Sequence, residues 1–207
     1  ARLHLNHRDL LFGLLEAQGV TEHAAQIACI RALDKLDKET PAKVRAEMLA
    51  TTGLGEGTID AVLAVFQAGH GVAGLRARVA PHAAAACDRV EQVLALVAAA
   101  GFGGQVVFAP TIARGLDYYT GIVYETRLTD PKVAGVGAVM SGGRYDGLIG
   151  LFSGQPIAAV GISLGLAGIL VLMGGASLST LMPTAPGYVW ESDQLRYQHP
   201  LTCNRGK

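Results

Sequence analysis

A chain of 207 residues with seventeen Lys and Arg against seventeen Asp and Glu has no net charge, and its length allows one to two domains around a sizeable core. Half of the residues are hydrophobic and 16% are charged, below the roughly 25% of an ordinary globular domain, which excludes disorder, coiled coil and collagen. Residues 1–105 hold ten basic and eleven acidic side chains and residues 106–207 hold seven and six, so neither half has the basic excess that unaided nucleic-acid binding leaves.

Alternation at Leu3 and Leu5 predicts a short strand over residues 1–6. Leu10, Leu11, Leu14 and Leu15 then share one face of a helix over 8–18, stopped by Gly19. Thr21 is placed to cap a second helix running to Lys38, with Asp34 and Lys38 as an i,i+4 pair. Thr40-Pro41 reads as a cap followed by proline at the first helical position, opening a helix through Leu49. Thr58 is the cap expected for a fourth helix to Gln67, and an Ala-rich helix over 82–100 ends at Gly101. The period changes after that. Residues 105–109, 122–127, 136–141 and 158–164 have the β-branched or alternating patterns of strands, and 166–173 reads as a short buried helix. Beyond Ala176, three prolines and mixed polar residues predict an irregular tail.

Cys29, Cys87 and Cys203 match no zinc spacing and no disulfide framework, which favours a reducing compartment. His4, His7, His23, His70, His82 and His199 show no metal motif and read as surface or capping residues. Residues 157–175 form a 19-residue run without charge, long enough on composition alone to span a bilayer.

The chemistry concentrates in two clusters. Ala113-Arg114-Gly115-Leu116-Asp117-Tyr118-Tyr119-Thr120-Gly121 sets an arginine and an aspartate beside adjacent tyrosines, framed by glycines that let backbone approach a ligand closely. Ser141-Gly142-Gly143-Arg144-Tyr145-Asp146-Gly147 repeats the combination at a strand end. Cations for an anion, phenols for hydrogen bonds and carboxylates for an amine or imidazole are what a pocket for an amino acid or nucleotide needs. Turns bearing surface ion pairs are the alternative.

ARGLDYYTGIVYE followed by SGGRYDGLIG resembles the two histidine-specific motifs of the histidyl-tRNA synthetases, which are class II aminoacyl-tRNA synthetases. NHRDLLFGLLEAQGV, ALDKLDKE and PAKVRAEML resemble the strand end and helical insertion of that family, and AAVGISLGLAGIL resembles its motif 3, a strand running into a helix. The likeness runs in order through residues 1–173. It implies an α+β fold, an antiparallel sheet with an inserted all-helical block. Residues 1–7 and 101–175 would be a partial class II catalytic core, 8–100 the helical insertion, and 176–207 a tail unlike the family.

The resemblance also implies roles. Arg114 would contact the histidine carboxylate and the α-phosphate of ATP, stabilising charge as the adenylate forms. Tyr118, Tyr119 and Tyr145 would line the histidine pocket. Asp117, Arg144 and Asp146 are expected to pair as buried ions that hold the loops, while Gly115, Gly121, Gly142 and Gly143 serve backbone geometry. The implied activity is histidine–tRNA ligation, with ATP and Mg2+, histidine and the histidine tRNA as substrates and partners. The full-length family is a homodimer, and the expected location is the cytoplasm, with an organelle as the other option. A membrane span is not expected, because the family reads Gly-Leu-Glu-Arg where this chain has Gly165-Leu166-Ala167-Gly168, and two charges there would break the apolar run. The arginine that binds the γ-phosphate of ATP is therefore replaced by Gly168. Motifs 1 and 2 would lie before residue 1, and no anticodon-binding domain is recognisable after Gly175. The chain alone is thus expected to be inactive in aminoacylation. Two other readings stay open: a non-catalytic histidine-binding paralogue, like the regulatory subunit of ATP phosphoribosyltransferase, and a truncated or aberrantly spliced product.

Overall fold

In the computed structural model of the chain, residues 1–36, 39–113, 118–130 and 137–165 are described, together with 169, 188–191 and 194–197. The chain divides into two compact units, residues 1–165 and 166–207.

The first unit opens with β1 (Arg2–His7), which runs directly into α1 (Arg8–Ala17); His7 turns the chain by accepting a hydrogen bond at Nδ1 from the Asp9 amide at 3.2 Å. Four further helices follow: α2 (His23–Leu33), α3 (Pro41–Thr52), α4 (Glu56–Gln67) and α5 (Val72–Arg76). A 3₁₀ turn (Pro81–Ala83) then leads into α6 (Ala84–Ala99). This helical crossover returns the chain to β2 (Val106–Phe108), which pairs parallel with β1, as strands joined through helices can. The remaining strands, β3 (Ile122–Arg127), β4 (Ala138–Tyr145) and β5 (Ala159–Leu164), pair antiparallel in turn, and the sheet order is β2-β1-β3-β4-β5. A single turn, α7 (Gly150–Ser153), precedes β5. The fold is α+β with a mostly antiparallel sheet, and the first strand lies inside it.

Pleating separates the two sheet faces. Leu3, Leu5, Val106, Phe108, Ile122 and Tyr124 share the face that packs into the helical core of Leu10, Leu14, Ile30, Met48, Ile59, Leu75 and Val90. The opposite face carries a smaller cluster, Ile112, Tyr119 and Val123, with Ala109 and Tyr145 against it.

Several local expectations are corrected. α2 is capped by Glu22, whose carboxylate reaches the amides of Ala24 and Ala25 at 3.1 and 2.8 Å, so Thr21 is displaced from the cap. That helix stops at Leu33; Lys35 pairs with Glu47 at 2.7 Å, and the expected Asp34–Lys38 pair involves a residue outside the described ones. α4 begins at Glu56 behind Gly55 and takes no side-chain cap from Thr58. Thr40 does cap α3, accepting from the Lys43 amide at 3.4 Å. β4 continues through Gly142-Gly143 to Tyr145, four residues past its expected end, because both glycines stay paired to β3 and β5.

Of the apolar run, residues 159–164 form a strand, and the proposed helix 166–173 falls almost wholly outside the described residues. The strand is not buried: Val160, Ile162 and Leu164 are 68%, 62% and 65% exposed. The reason is that the helices meet the sheet mainly at β1 and β2, while β5 is its far edge. No helix among the described residues is long and apolar enough to cross a membrane.

In the second unit, where an irregular tail was expected, β6 (Tyr188–Glu191) and β7 (Gln194–Tyr197) pair antiparallel. Both segments are rich in aromatic and β-branched or long apolar residues, which favours extended pairing over the irregular reading.

Candidate functional site

Tyr119 is the centre of the sheet face turned away from the helices. Its ring lies 4.4 Å from that of Tyr118 and 6.4 Å from that of Tyr145, measured between centroids. Tyr119 is 8% exposed, whereas Tyr118 is 47% exposed and borders solvent. Burial, aided by a hydrogen bond with Tyr118, pushes the Tyr119 phenol up to about 12, so it stays protonated and able to donate at neutral pH.

Two glycines make room for these rings. A Cβ on Gly143 would stand 2.8 Å from Cδ1 of Tyr119 and from the Ile122 carbonyl oxygen. A Cβ on Gly161, the register partner of Gly143, would stand 2.8 Å from Cε1 of Tyr145. On the helix-side face Gly142 does the same for Tyr124, whose hydroxyl donates to the Gly161 carbonyl at 2.8 Å. None of the three has positive φ. Their service is close approach, not an unusual turn.

Arg144 and Asp146 behave differently from Tyr145. Alternation along β4 puts Arg144 on the helix side, where its Nε bonds Asp146 at 3.0 Å, and Asp146 also accepts from the Thr120 hydroxyl at 2.9 Å. These bonds tie the loop to the strand end, and they hold the Asp146 carboxyl below its ordinary range. The pair is solvent-accessible, with side chains 44% and 38% exposed, which corrects the expectation of buried ions: both sit at the rim of a cleft of about 290 Å³ shared with His7, Asp9 and Arg89. His7 is itself buried. Desolvation, opposed by Asp9 and reinforced by Arg89 and Arg144, lowers its pKa, which keeps Nδ1 free to accept at the helix cap.

Arg114, the arginine expected to hold the carboxylate and phosphate, lies with Gly115, Leu116 and Asp117 outside the described residues. Sequence reasoning gave no role to Asn6, Arg8, Tyr124, Glu125 or Gly161. Glu125 is 2% exposed on the tyrosine face and forms an ion pair with Arg127. The alternating strand pattern around it was the available signal, since it places one carboxylate among inward positions. Among the described residues no group of three or more His, Cys, Asp or Glu side chains is arranged to hold a metal.

A buried phenol donor beside two further rings, on a glycine-lined sheet surface, suits a flat polar ring such as imidazole. Comparison with known proteins shows the family and the fold. The family model described as Histidyl-tRNA synthetase matches residues 1–169. The cytoplasmic histidine–tRNA ligase of Oryza sativa subsp. japonica is 34% identical over 185 residues, covering 83% of this chain and 22% of the rice protein. The histidine–tRNA ligase of Rhodopirellula baltica is 35% identical over 178 residues, covering 83% and 39%. The crystal structure of histidyl-tRNA synthetase from Nostoc sp. PCC 7120 superposes with a TM-score of 0.74 at 27% identity, covering 84% of this chain and 42% of that one. A Bacillus halodurans structure titled an ATP phosphoribosyltransferase regulatory subunit/histidyl-tRNA synthetase shares the fold, with a TM-score of 0.57 at 20% identity over 79% of this chain and 41% of that one. The chain thus spans about a fifth to two fifths of the curated relatives it matches.

Proposed function

The chain belongs to the histidyl-tRNA synthetase family, and we propose that its sheet carries the histidine-binding part of a histidine–tRNA ligase site. The observation that carries this reading is the convergence of Tyr119 and Tyr145 over Gly143 and Gly161, with Tyr118 at the rim. In it, the neutral Tyr119 phenol donates to an imidazole nitrogen, and Tyr145 closes the other side. Arg114 takes the carboxylate.

The reaction that follows has two steps. A carboxylate oxygen of histidine attacks the α-phosphorus of ATP, and pyrophosphate leaves with the electrons of the broken P–O bond. The terminal adenosine hydroxyl of the histidine tRNA then displaces AMP from the adenylate. Arg114 stabilises the charge that grows on the α-phosphate in the first step. ATP would bring Mg2+ on its phosphates, and none of these protein roles runs through the metal. Tyr118, Tyr119, Tyr145 and Arg114 are the binding set, a homodimer is the assembly proposed for the full-length protein, and the cytoplasm is the proposed location. Domain boundaries follow the same reading, with 8–100 as the helical insertion between parts of the catalytic core.

A second reading has one observation of its own. Gly168 stands where the family's motif 3 carries an arginine, and loss of a γ-phosphate contact suits a protein that binds histidine without activating it. Both readings require histidine binding. Calorimetric titration tests it: L-histidine is expected to bind, histidinol, which lacks the carboxylate, to bind at least tenfold more weakly, and Tyr119→Ala to lose about tenfold in affinity, the worth of one buried hydrogen bond. Equal affinities for histidine and histidinol would remove Arg114 from the site.

A further inference from the structure

The junction of β1 and α1 reaches across more than a hundred residues to the tyrosine motif. Asn6 is fully buried, and its Nδ2 donates to two carbonyl oxygens, those of Pro110 and Ile112, each at 2.9 Å. Two residues later, Nη1 of Arg8 donates to the Tyr119 carbonyl at 2.7 Å, and the Arg8 amide donates to the Gly121 carbonyl at 2.9 Å. The Arg8 guanidinium is itself held: it lies 5.2 Å above the Phe12 ring, which stacks on His23 at 5.8 Å. Asn6 therefore grips the chain before the motif and Arg8 grips the motif's tyrosine end.

These contacts are more than loop closure. The three carbonyls are buried or partly buried, where a main-chain oxygen without a partner is costly, so each bond satisfies its carbonyl and at the same time fixes where that stretch of chain lies. The Tyr119 carbonyl is fixed on one side of the residue while its ring rests on Gly143 on the other. Among the described residues the buried Asn6 Oδ1 finds no hydrogen-bond partner, so the polar contacts of this side chain run through its two donors. Its two donors are the reason for an amide at that position, where an apolar side chain would otherwise suit the core.

We infer that Asn6 and Arg8 are positioning residues that clamp the main chain before the tyrosine motif and at its tyrosine end, and so hold the Tyr119 ring against Gly143 of the sheet. The inference rests on the histidine-site reading for its functional meaning, and its physical content is separable from it. Neither residue touches the ligand in this scheme. Each acts through Tyr119.

Tyrosine nitration at pH 8, mapped by mass spectrometry, reads the clamp directly. In the unaltered chain Tyr118 is expected to react and Tyr119 to be protected. Arg8→Met keeps the stem on Phe12 and removes the donor; the Tyr119 nitration rate is expected to rise at least tenfold, with Tyr124, which the clamp does not touch, unchanged. Asn6→Asp, which turns both donors into acceptors facing carbonyls, is expected to act in the same direction. Arg8→Lys retains a cationic donor and is expected to recover most of the protection. Histidine affinity should fall about tenfold in Arg8→Met, in step with the release of Tyr119. A rise at Tyr119 and Tyr124 together would mean general loosening and would overturn the inference, as would continued protection of Tyr119 in Arg8→Met. If the unaltered chain bound no histidine while Tyr119 was still released selectively, the clamp would stand and the histidine site would fall. Selective release of Tyr119 with histidine affinity unchanged would remove the functional meaning of the clamp.

Discussion

Gly142→Ala is expected to lower the stability of the fold by about 3 kcal/mol, the upper end of what over-packing ordinarily costs. A Cβ there would lie 2.2 Å from the Gly161 carbonyl oxygen and 2.7 Å from the Tyr124 hydroxyl. The first neighbour is backbone of the paired strand β5, so relief means moving that strand away from β4. The second is the phenol that donates to the same carbonyl, so the Tyr124 hydrogen bond is lost with the movement. At roughly 2–4 °C per kcal/mol for a chain of this size, the melting temperature should fall by roughly 6–12 °C. Gly147→Ala is the control: no atom lies within 4 Å of a Cβ there, and a surface change of that kind stays within about 0.5 kcal/mol. Thermal unfolding followed by circular dichroism makes the comparison. Equal melting temperatures for the two variants would show that β4 and β5 do not approach this closely.

The second large effect concerns ATP. Adenylate formation needs positioned cations around the triphosphate, and removing one such contact costs about 10²–10³ in rate. With Gly168 at the position to which the resemblance assigns an arginine, ATP–pyrophosphate exchange in the presence of histidine should be slow in this chain. Gly168→Arg is expected to raise it by about a hundredfold, or less if other contacts act with it as a unit, since such contributions do not add. Histidine binding should not change between the two. Fast exchange by the unaltered chain, insensitive to Gly168→Arg, would mean that other groups hold the γ-phosphate and would remove the reason for the non-catalytic reading.

The strands and most helices were legible because their signals are local. Alternation at Leu3 and Leu5, the Thr40-Pro41 start and the stop at Gly19, whose φ is 84°, all act within a few residues. Caps were less legible. Glutamate is a weaker sequence signal than threonine, yet its longer carboxylate reached two amides at the start of α2. Gly142-Gly143 reads as a turn, but in three dimensions it is the flat place in a strand where aromatic rings lie down. The edge position of β5 could not be seen either, since an apolar strand is written alike at the middle and the edge of a sheet.

At the site, the tyrosines announced themselves through two dense motifs, and Tyr119 and Tyr145 are neighbours in space. Asn6 and Arg8 gave no such signal. Their partners are more than a hundred residues away, and nothing in the local pattern of NHRD distinguishes a clamp from a strand end. Arg144 and Tyr145, adjacent in the motif, were read as parts of one loop, but the period-2 pleat sends them to opposite faces.

The central claim is that histidine sits against Tyr119 and Tyr145. Ring proton resonances of the tyrosines, assigned by single Tyr→Phe substitutions and followed by NMR during titration with L-histidine, test it most directly. Saturable shifts of the Tyr119 and Tyr145 rings are expected, with smaller movement at Tyr118 and little at the helix-side Tyr124, and no such shifts with L-leucine. Shifts confined to Tyr124 and to the cleft around His7 and Arg89, with Tyr119 and Tyr145 unmoved, would place histidine on the other face of the sheet and contradict it.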